Sequence, residues 1–277
     1  MRNLRLMVLT SALVLPAAAA AQTVYTRTAE DTLHYREVTI GEVVMETPRG
    51  AVPVRSEHDA TIAVRFAPGD TAFAWYQSLH LVSAGPGGEQ RPDTREMLSR
   101  PYVLRFSPRG HIVTLVAPPM PVPIGQITDL TRQFDDFFIT LPDEPLVAGV
   151  SWADTVVRDD AGRPADSVAT RHERTYVVKG DTAVDGTRAV VIEVHQRVWI
   201  EGRSPIEGQG LTAGTVLEGE DTGFAIFDPV RGELIARRRT GALTGRLSII
   251  GGPEVIEMPQ TFNYESSIER VRQSGGA

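Results

Sequence analysis

"HERTYVVKGDTAVDGTRAVVIEVHQRVWIEG", residues His172 to Gly202, decides how the rest of the chain is read. Two runs of valine, isoleucine and aromatic residues flank "KGDTAVDG", in which Asp185-Gly186 is a strong turn signal because both residue types tolerate the positive φ of a tight hairpin. From Arg188 onward Val190, Ile192, Val194, Val198 and Ile200 share one face by the two-residue period, and Glu193, His195 and Arg197 share the other. Such alternation predicts antiparallel strands with one buried and one wetted side.

The same signals recur on both sides of this stretch. "LHYREVTIGEVVME" (Leu33 to Glu46), "DATIAVRFA" (Asp59 to Ala67) and "AFAWYQSLHLVS" (Ala72 to Ser83) read as strands, the last with Phe73, Trp75, Gln77 and Leu79 on one face and Trp75 inward. "DTREMLSR" follows a polar excursion and suits a short helix started by Asp93 or Thr94. "YVLRFSPRGHIVTLV" and "FAIFDPVRGELIARR" both place an aromatic before a Pro-containing turn that ends in Gly, which hints at two related halves. "GTVLEGEDTGFAIFDPVRGELIARRRTGALTGRLSIIGG" continues the strands and "EMPQTFNYESSIERVR" closes the sheet. With 19 prolines and 25 glycines the composition suits turn-rich β architecture more than a helix bundle.

One segment departs from the period of two. In "GQITDLTRQFDDFF" Ile127, Leu130, Phe134 and Phe137 are spaced three, four and three apart, which predicts an amphipathic helix near 125–138 with Asp129, Arg132 and Asp136 toward water. Leu141-Pro142 then stops regular structure, and Trp152 returns an aromatic to the core. The expected fold is mainly β (α+β): a curved antiparallel sheet with one or two covering helices. Its β-rich N-terminal half spans 22–140, a connector 141–149, and an antiparallel C-terminal half 150–277.

The chain opens with Arg2 and Arg5, an apolar run from Leu6 to Leu15 and small residues ending "AAQ", the layout of a cleaved export signal over 1–21. Export predicts a periplasmic or extracellular protein. No cysteine follows the run, so no lipid anchor is expected, and with no cysteine anywhere stability must come from the core. No later stretch has the ~20 apolar residues of a transmembrane helix. The formal charge of −7 includes the two signal arginines, so the mature chain carries about −9 by that subtraction, which disfavours nucleic-acid partners.

The chemistry-bearing residues form no recognisable site. His34, His58, His80, His111, His172 and His195 show no metal-ligand spacing, so no metal and no cofactor is expected. No G-x-S-x-G occurs, and Ser151 lacks the elbow glycines of a serine nucleophile. Asp135-Asp136 and Glu220-Asp221 are adjacent acids, which point apart on a helix or suit a turn. Arg237 to Arg239 reads as a solvated edge, with Arg238 opposite its neighbours by alternation. No catalytic residue is assigned.

Around "FFITLPDEPLVAGVSWADT" the order of helix, Leu-Pro, Pro, Gly and Trp resembles a family of exported bacterial proteins of uncharacterised function, similar in turn to the lipoprotein-carrier or outer-membrane lipid-handling fold. The resemblance makes Pro142, Pro145, Gly149, Trp152, Asp185, Gly186, Phe227, Asp228 and Gly232 pattern residues, with Ser151 standing where the family usually has an acid. It implies a curved sheet whose concave face is crossed by helices. The expectation is thus a non-enzymatic envelope protein that binds an apolar ligand or lipid moiety, with Ile127, Leu130, Phe134, Phe137, Trp75 and Trp152 as groove candidates. Those side chains would serve equally as core, leaving a structural or protein-interaction module of the envelope. A secreted hydrolase would need several of His80, His111, His195, Asp228 and Glu233 to meet in a cleft.

Overall fold

The computed structural model describes residues 23–25, 32–125, 127–158, 167–206, 208, 210–251 and 255–271. The expected export signal lies outside them. The strands are β1 (Thr32–Thr47), β2 (Gly50–Phe66), β3 (Thr71–Gly85), β4 (Gly88–Gln90), β5 (Tyr102–Phe106), β6 (Ile112–Val116), β7 (Ser151–Arg158), β8 (Ser167–Val184), β9 (Thr187–Ile206), β10 (Leu211–Asp228), β11 (Glu233–Ile250) and β12 (Ile256–Arg270). All pair antiparallel in one sheet of order β6-β5-β3-β2-β1-β12-β11-β10-β9-β8-β7, with β4 beside β3. The expected mainly-β antiparallel fold is therefore present, and the sheet is not closed into a barrel.

Turn chemistry sets the hairpins. Strands β8 and β9 run right up to Asp185 (φ 50°) and Gly186 (φ 75°), so "KGDTAVDG" is mostly strand and only its last two residues turn. Between β10 and β11 the buried Asp228 carboxylate accepts from the backbone N–H of Val230 and of Arg231, both at 2.9 Å. The chain's first and last long strands are neighbours: β1 pairs with β12 from Tyr35↔Arg270 to Met45↔Gln260. This pairing joins the two halves into one sheet, whose edges are β6 and β7.

The sheet is strongly curved. Phe106 on β5 and Phe227 on β10 are six intervals apart in strand order, ~29 Å in a flat sheet at ~4.8 Å per strand. Yet Tyr25 packs edge-on against both rings, at 5.4 and 5.1 Å between centroids. Residues 117–125 and 127–150 lie between edge strand β6 and edge strand β7 and across one end of the inward face. They include helix α1 (Val122–Gly125) and a 3-10 turn, Gln133–Asp136. The single helix expected near 125–138 is thus replaced by two short pieces. Asp129 starts a turn by accepting from Thr131 N–H and Oγ1, and Asp135 is drawn off to Thr114, so side-chain bonds compete with a helical ladder.

This crossing segment supplies much of the core. Ile124, Leu130, Phe134, Phe137, Phe138, Ile139 and Leu141 are buried against Tyr35, Tyr76, Tyr102, Phe106 and Phe227. Its backbone is partnered from around it: Leu141 N–H donates to the carbonyl of Arg109 in the β5–β6 turn, while Tyr25 Oη and Trp152 Nε1 donate to the carbonyls of Ile139 and Thr140. Gly110, at φ 88°, lets the β5–β6 turn approach so closely that a Cβ there would lie 2.3 Å from the Ile139 carbonyl oxygen.

A β-bulge shifts β3 against β2 between Thr61 and Ile62, so Ala72, Ala74 and Tyr76 share the buried face with Leu79 and Leu81. Trp75 consequently sits half-buried on the outer face beside Phe73, not inward. With Phe134 packed on Tyr102 and Tyr76 at 4.7 and 5.8 Å, Phe134→Ala is expected to cost about 3–5 kcal/mol of stability, measured by urea unfolding. A side chain that merely lined an open groove would cost far less.

Candidate functional site

Cross-strand partners share a face, so the register sorts the inward side of β8 to β12 into layers. Where the crossing segment covers it, the layer is apolar: Tyr176, Ile192, Val194, Ala225, Phe227 and Ile268. Next comes a polar belt in which Arg174, Gln196 and Asp221 are consecutive partners on β8, β9 and β10, with Arg237 and Arg239 on β11. Beyond the belt the face turns apolar again, with Val198, Leu217 and Leu243 packed together and Ile200, Phe262 and Tyr264 around them.

Asp136, carried in by the crossing segment, is the hub of the belt. Its carboxylate accepts from Arg174 Nη2 at 2.5 Å and Arg239 Nη1 at 2.7 Å, and Arg237 Nη1 donates to its backbone carbonyl. Burial alone would push this carboxyl up, but Arg174, Arg239 and Arg237 together hold it well below the usual carboxylate range. Asp221, buried on β10, accepts from Gln196 Nε2 at 2.9 Å and from the Tyr264 hydroxyl. Burial lowers the Arg237 guanidinium to about 10, helped by its neighbour Arg239, whereas Asp136 and Asp221 overcome burial at Arg239 and raise it. The reading of Arg237 to Arg239 as a solvated edge is corrected here. Alternation does put Arg238 outside, but its two neighbours face in, where Asp136 compensates them.

The belt opens into a cleft of about 400 Å³. Arg132, Gln133 and Asp136 of the crossing segment close one side, and Glu37 and Thr39 on β1 another; Arg158, Val168, Thr170 and His172 on β7 and β8 stand opposite, with Val198, Ile200, Leu243 and Phe262 as the apolar wall. Strands β1 and β8 are five intervals apart, so only the curl brings both to one cavity. Several buried polar atoms on the lining residues have no hydrogen-bond partner among the described residues: Glu37 Oε2, Arg158 Nη2, Thr170 Oγ1, His172 Nδ1 and Arg239 Nε.

The expected groove residues are placed elsewhere. Leu130, Phe134 and Phe137 are buried in the core, Ile127 is half-buried on the crossing segment, and none of the four lines this cleft. Trp152 stacks on Tyr176 at 5.0 Å, at the covered end, and Trp75 is on the outer face. Of the residues that do line it, alternation marks Val198 and Ile200 as inward, whereas Asp129, Arg132 and Asp136 are expected toward water and Arg239 on a solvated edge; the structure instead turns Asp136 and Arg239 inward, into the polar belt. His80, His111 and His195 are exposed, Asp228 caps its turn and Glu233 pairs with Arg270; these five do not meet in the cleft. Among the described residues no group of three or more His, Asp or Glu is placed to hold a metal, and no helix is long and apolar enough to cross a membrane.

No family model matches the chain, and no curated protein matches it significantly. Solved structures do. The chain is similar in fold to lipovitellin. The likeness, to a structure describing lipid–protein interactions in lipovitellin, covers 89% of this chain and 26% of that one at 12% identity and a TM-score of 0.50. The chain thus spans about a quarter of lipovitellin's length. Neisserial surface protein A (87% of this chain, 100% of its own, 9% identity) and OccK2 of Pseudomonas aeruginosa in complex with glucuronate (89%, 100%, 9%) align with TM-scores of 0.24 and 0.25, too low to support any inference.

Asp136→Asn leaves three arginines facing a neutral side chain and is expected to cost about 3–5 kcal/mol, read from urea unfolding near neutral pH. His172 gives a separate signature in pH. Its ring titrates near 6.5 in the unfolded chain, and burial lowers it to about 4 in the fold. Between those values the unfolded chain takes up a proton that the folded protein refuses, so stability falls as pH drops from 6.5 to about 4 and this contribution then levels off. His172→Gln should remove on the order of 2 kcal/mol of that acid-side loss, allowing for partial solvent screening. Asp136 has a depressed carboxyl, so its contribution is lost only below the ordinary carboxylate range, outside that window.

Proposed function

We propose that this protein is an exported, non-enzymatic envelope protein that binds an amphipathic lipid in the cleft of its inward face. The observation that carries the reading is the second apolar layer. Val198, Ile200, Leu243 and Phe262 face inward beyond the end covered by the crossing segment and border a cleft of about 400 Å³, within the size range of small-ligand sites. A curved sheet whose inner face is apolar past its own filler offers a place for an acyl chain, and the polar belt marks the inner limit of that place. The likeness to lipovitellin, which was solved with its lipid–protein interactions in view, agrees with this reading, as does the expected export signal. So does the resemblance of the Leu141 to Trp152 stretch to exported proteins of the lipoprotein-carrier type.

The alternative, a protein-interaction module of the envelope, is favoured by one observation: Leu130, Phe134 and Phe137 fill the covered end completely. The cleft beyond them separates the two readings. Native mass spectrometry with organic extraction should find a stoichiometric apolar species on protein purified from a bacterial envelope, and Ile200→Glu should strip it while leaving the fold intact. Ligand-free protein that also fails to take up a fluorescent acyl probe would leave the interaction module in front.

A further inference from the structure

The unpartnered polar atoms of the cleft are not scattered. Arg158 and Thr170 are direct cross-strand partners on β7 and β8, and His172 lies two residues along on the same face. On their other side Thr170 faces Ile200 and His172 faces Val198, so this polar triplet borders the apolar wall directly. All three residues line the cleft, and Arg158 Nη2, Thr170 Oγ1 and His172 Nδ1, like Arg239 Nε from β11, are buried without a hydrogen-bond partner among the described residues.

Two of the carboxylates nearby, Asp136 and Asp135, are committed. Asp136 is held by three arginines. Asp135 accepts from Thr114 N–H and Oγ1 while its other oxygen lies 3.6 Å from Arg158 Nε and 4.0 Å from Arg132 Nη1. Glu37 accepts from Gln133 Nε2 through one oxygen and leaves the other open across the cleft, and Asp129 also lines it. The open acceptors are Glu37 Oε2 in the cleft wall and, beside Arg174 on the same face, both oxygens of Asp154; the open donors on cleft-lining residues are those of Arg158, Thr170 and Arg239, two of them on guanidinium groups. The Arg158 guanidinium cannot give up its charge at neutral pH, and charge-assisted bonds to it are the strong ones.

We propose that Arg158, Thr170 and His172 form the head-group subsite of the cleft and select an amphiphile whose head is an oxyanion, a carboxylate or phosphate, with its chain along Val198, Ile200 and Phe262. This rests on the lipid-binding reading above and adds the class of head group.

The test compares palmitate, hexadecanol and inorganic phosphate on the full mature chain by isothermal titration and by displacement of a fluorescent acyl probe. Palmitate should bind about tenfold tighter than hexadecanol, the scale of one hydrogen bond to a charged group. Arg158→Gln with Thr170→Val should erase that preference while hexadecanol binding stays within about twofold; if this double variant does not fold, the wild-type comparison decides alone. Equal binding of palmitate and hexadecanol by the wild type would overturn the subsite and leave the lipid-binding reading standing. Binding of neither would overturn both. Phosphate displacing the probe as well as palmitate does would show a general anion site, and would overturn the assignment of an amphiphile.

Discussion

Asp136 is where everything that defines this molecule meets. It belongs to the segment that fills the covered end of the inward face, it is gripped by arginines from β8 and β11, and it forms part of the cleft wall. A buried carboxylate among three guanidinium groups is a poor source of net stability, since desolvating the ions offsets most of their attraction. What it supplies is position. The aromatic side chains of the crossing segment could slide over an apolar face at little cost, but moving Asp136 by one residue would strand three buried arginines.

That anchoring explains why the inward face is divided. Two apolar layers with nothing polar between them would let the segment spread along the whole trough. The belt of Arg174, Gln196 and Asp221, which takes its counter-charge from the segment itself, fixes where the protein's own filler ends. The cleft then begins on the belt's far side, with the belt at its inner end, an apolar wall from β9, β11 and β12, and the polar residues Arg158, Thr170 and His172 of β7 and β8 alongside that wall.

Much of the fold was legible because strands announce themselves locally. The alternation from Val190 to Ile200, the Asp185-Gly186 turn, and the Asp-Pro and Ser-Pro turns of two hairpins all rest on neighbours in sequence, and all are present. The failures share a cause. Trp75 changed sides because one bulge shifts the period, and a bulge leaves little trace in composition. The helix near 125–138 dissolved into short pieces because Asp129 and Asp135 spend their side chains on local and cross-segment bonds.

The site was less legible still. Gln196 stands in the apolar phase of β9 between Val194 and Val198, and a glutamine in that phase is a signal of a buried polar partner that alternation alone could have flagged. Arg237 and Arg239 follow the same logic, being in phase with Leu243 rather than with the exposed Arg238. What no local pattern carries is their common counter-ion, which arrives from about a hundred residues earlier. The groove expectation failed for a related reason: periodicity tells which side chains turn inward, not which of them the chain covers for itself.

The pairing of the first long strand with the last sets the order in which the molecule can be made. Thr39 and Ser266 share a hydrogen bond across 227 positions of sequence, so β1 has an unfilled edge until β12 exists. Hairpins on either side can form from local contacts, yet the trough, its aromatic filler and the charge belt all wait for one contact of very long range. Such topologies fold slowly, because the entropy of a long loop is lost before any contact repays it. During that interval β1 offers an open ladder of backbone groups next to Tyr35 and Leu33, the kind of edge other chains can add to. Until β12 is in place, that edge is the part of the chain most open to pairing with a second copy.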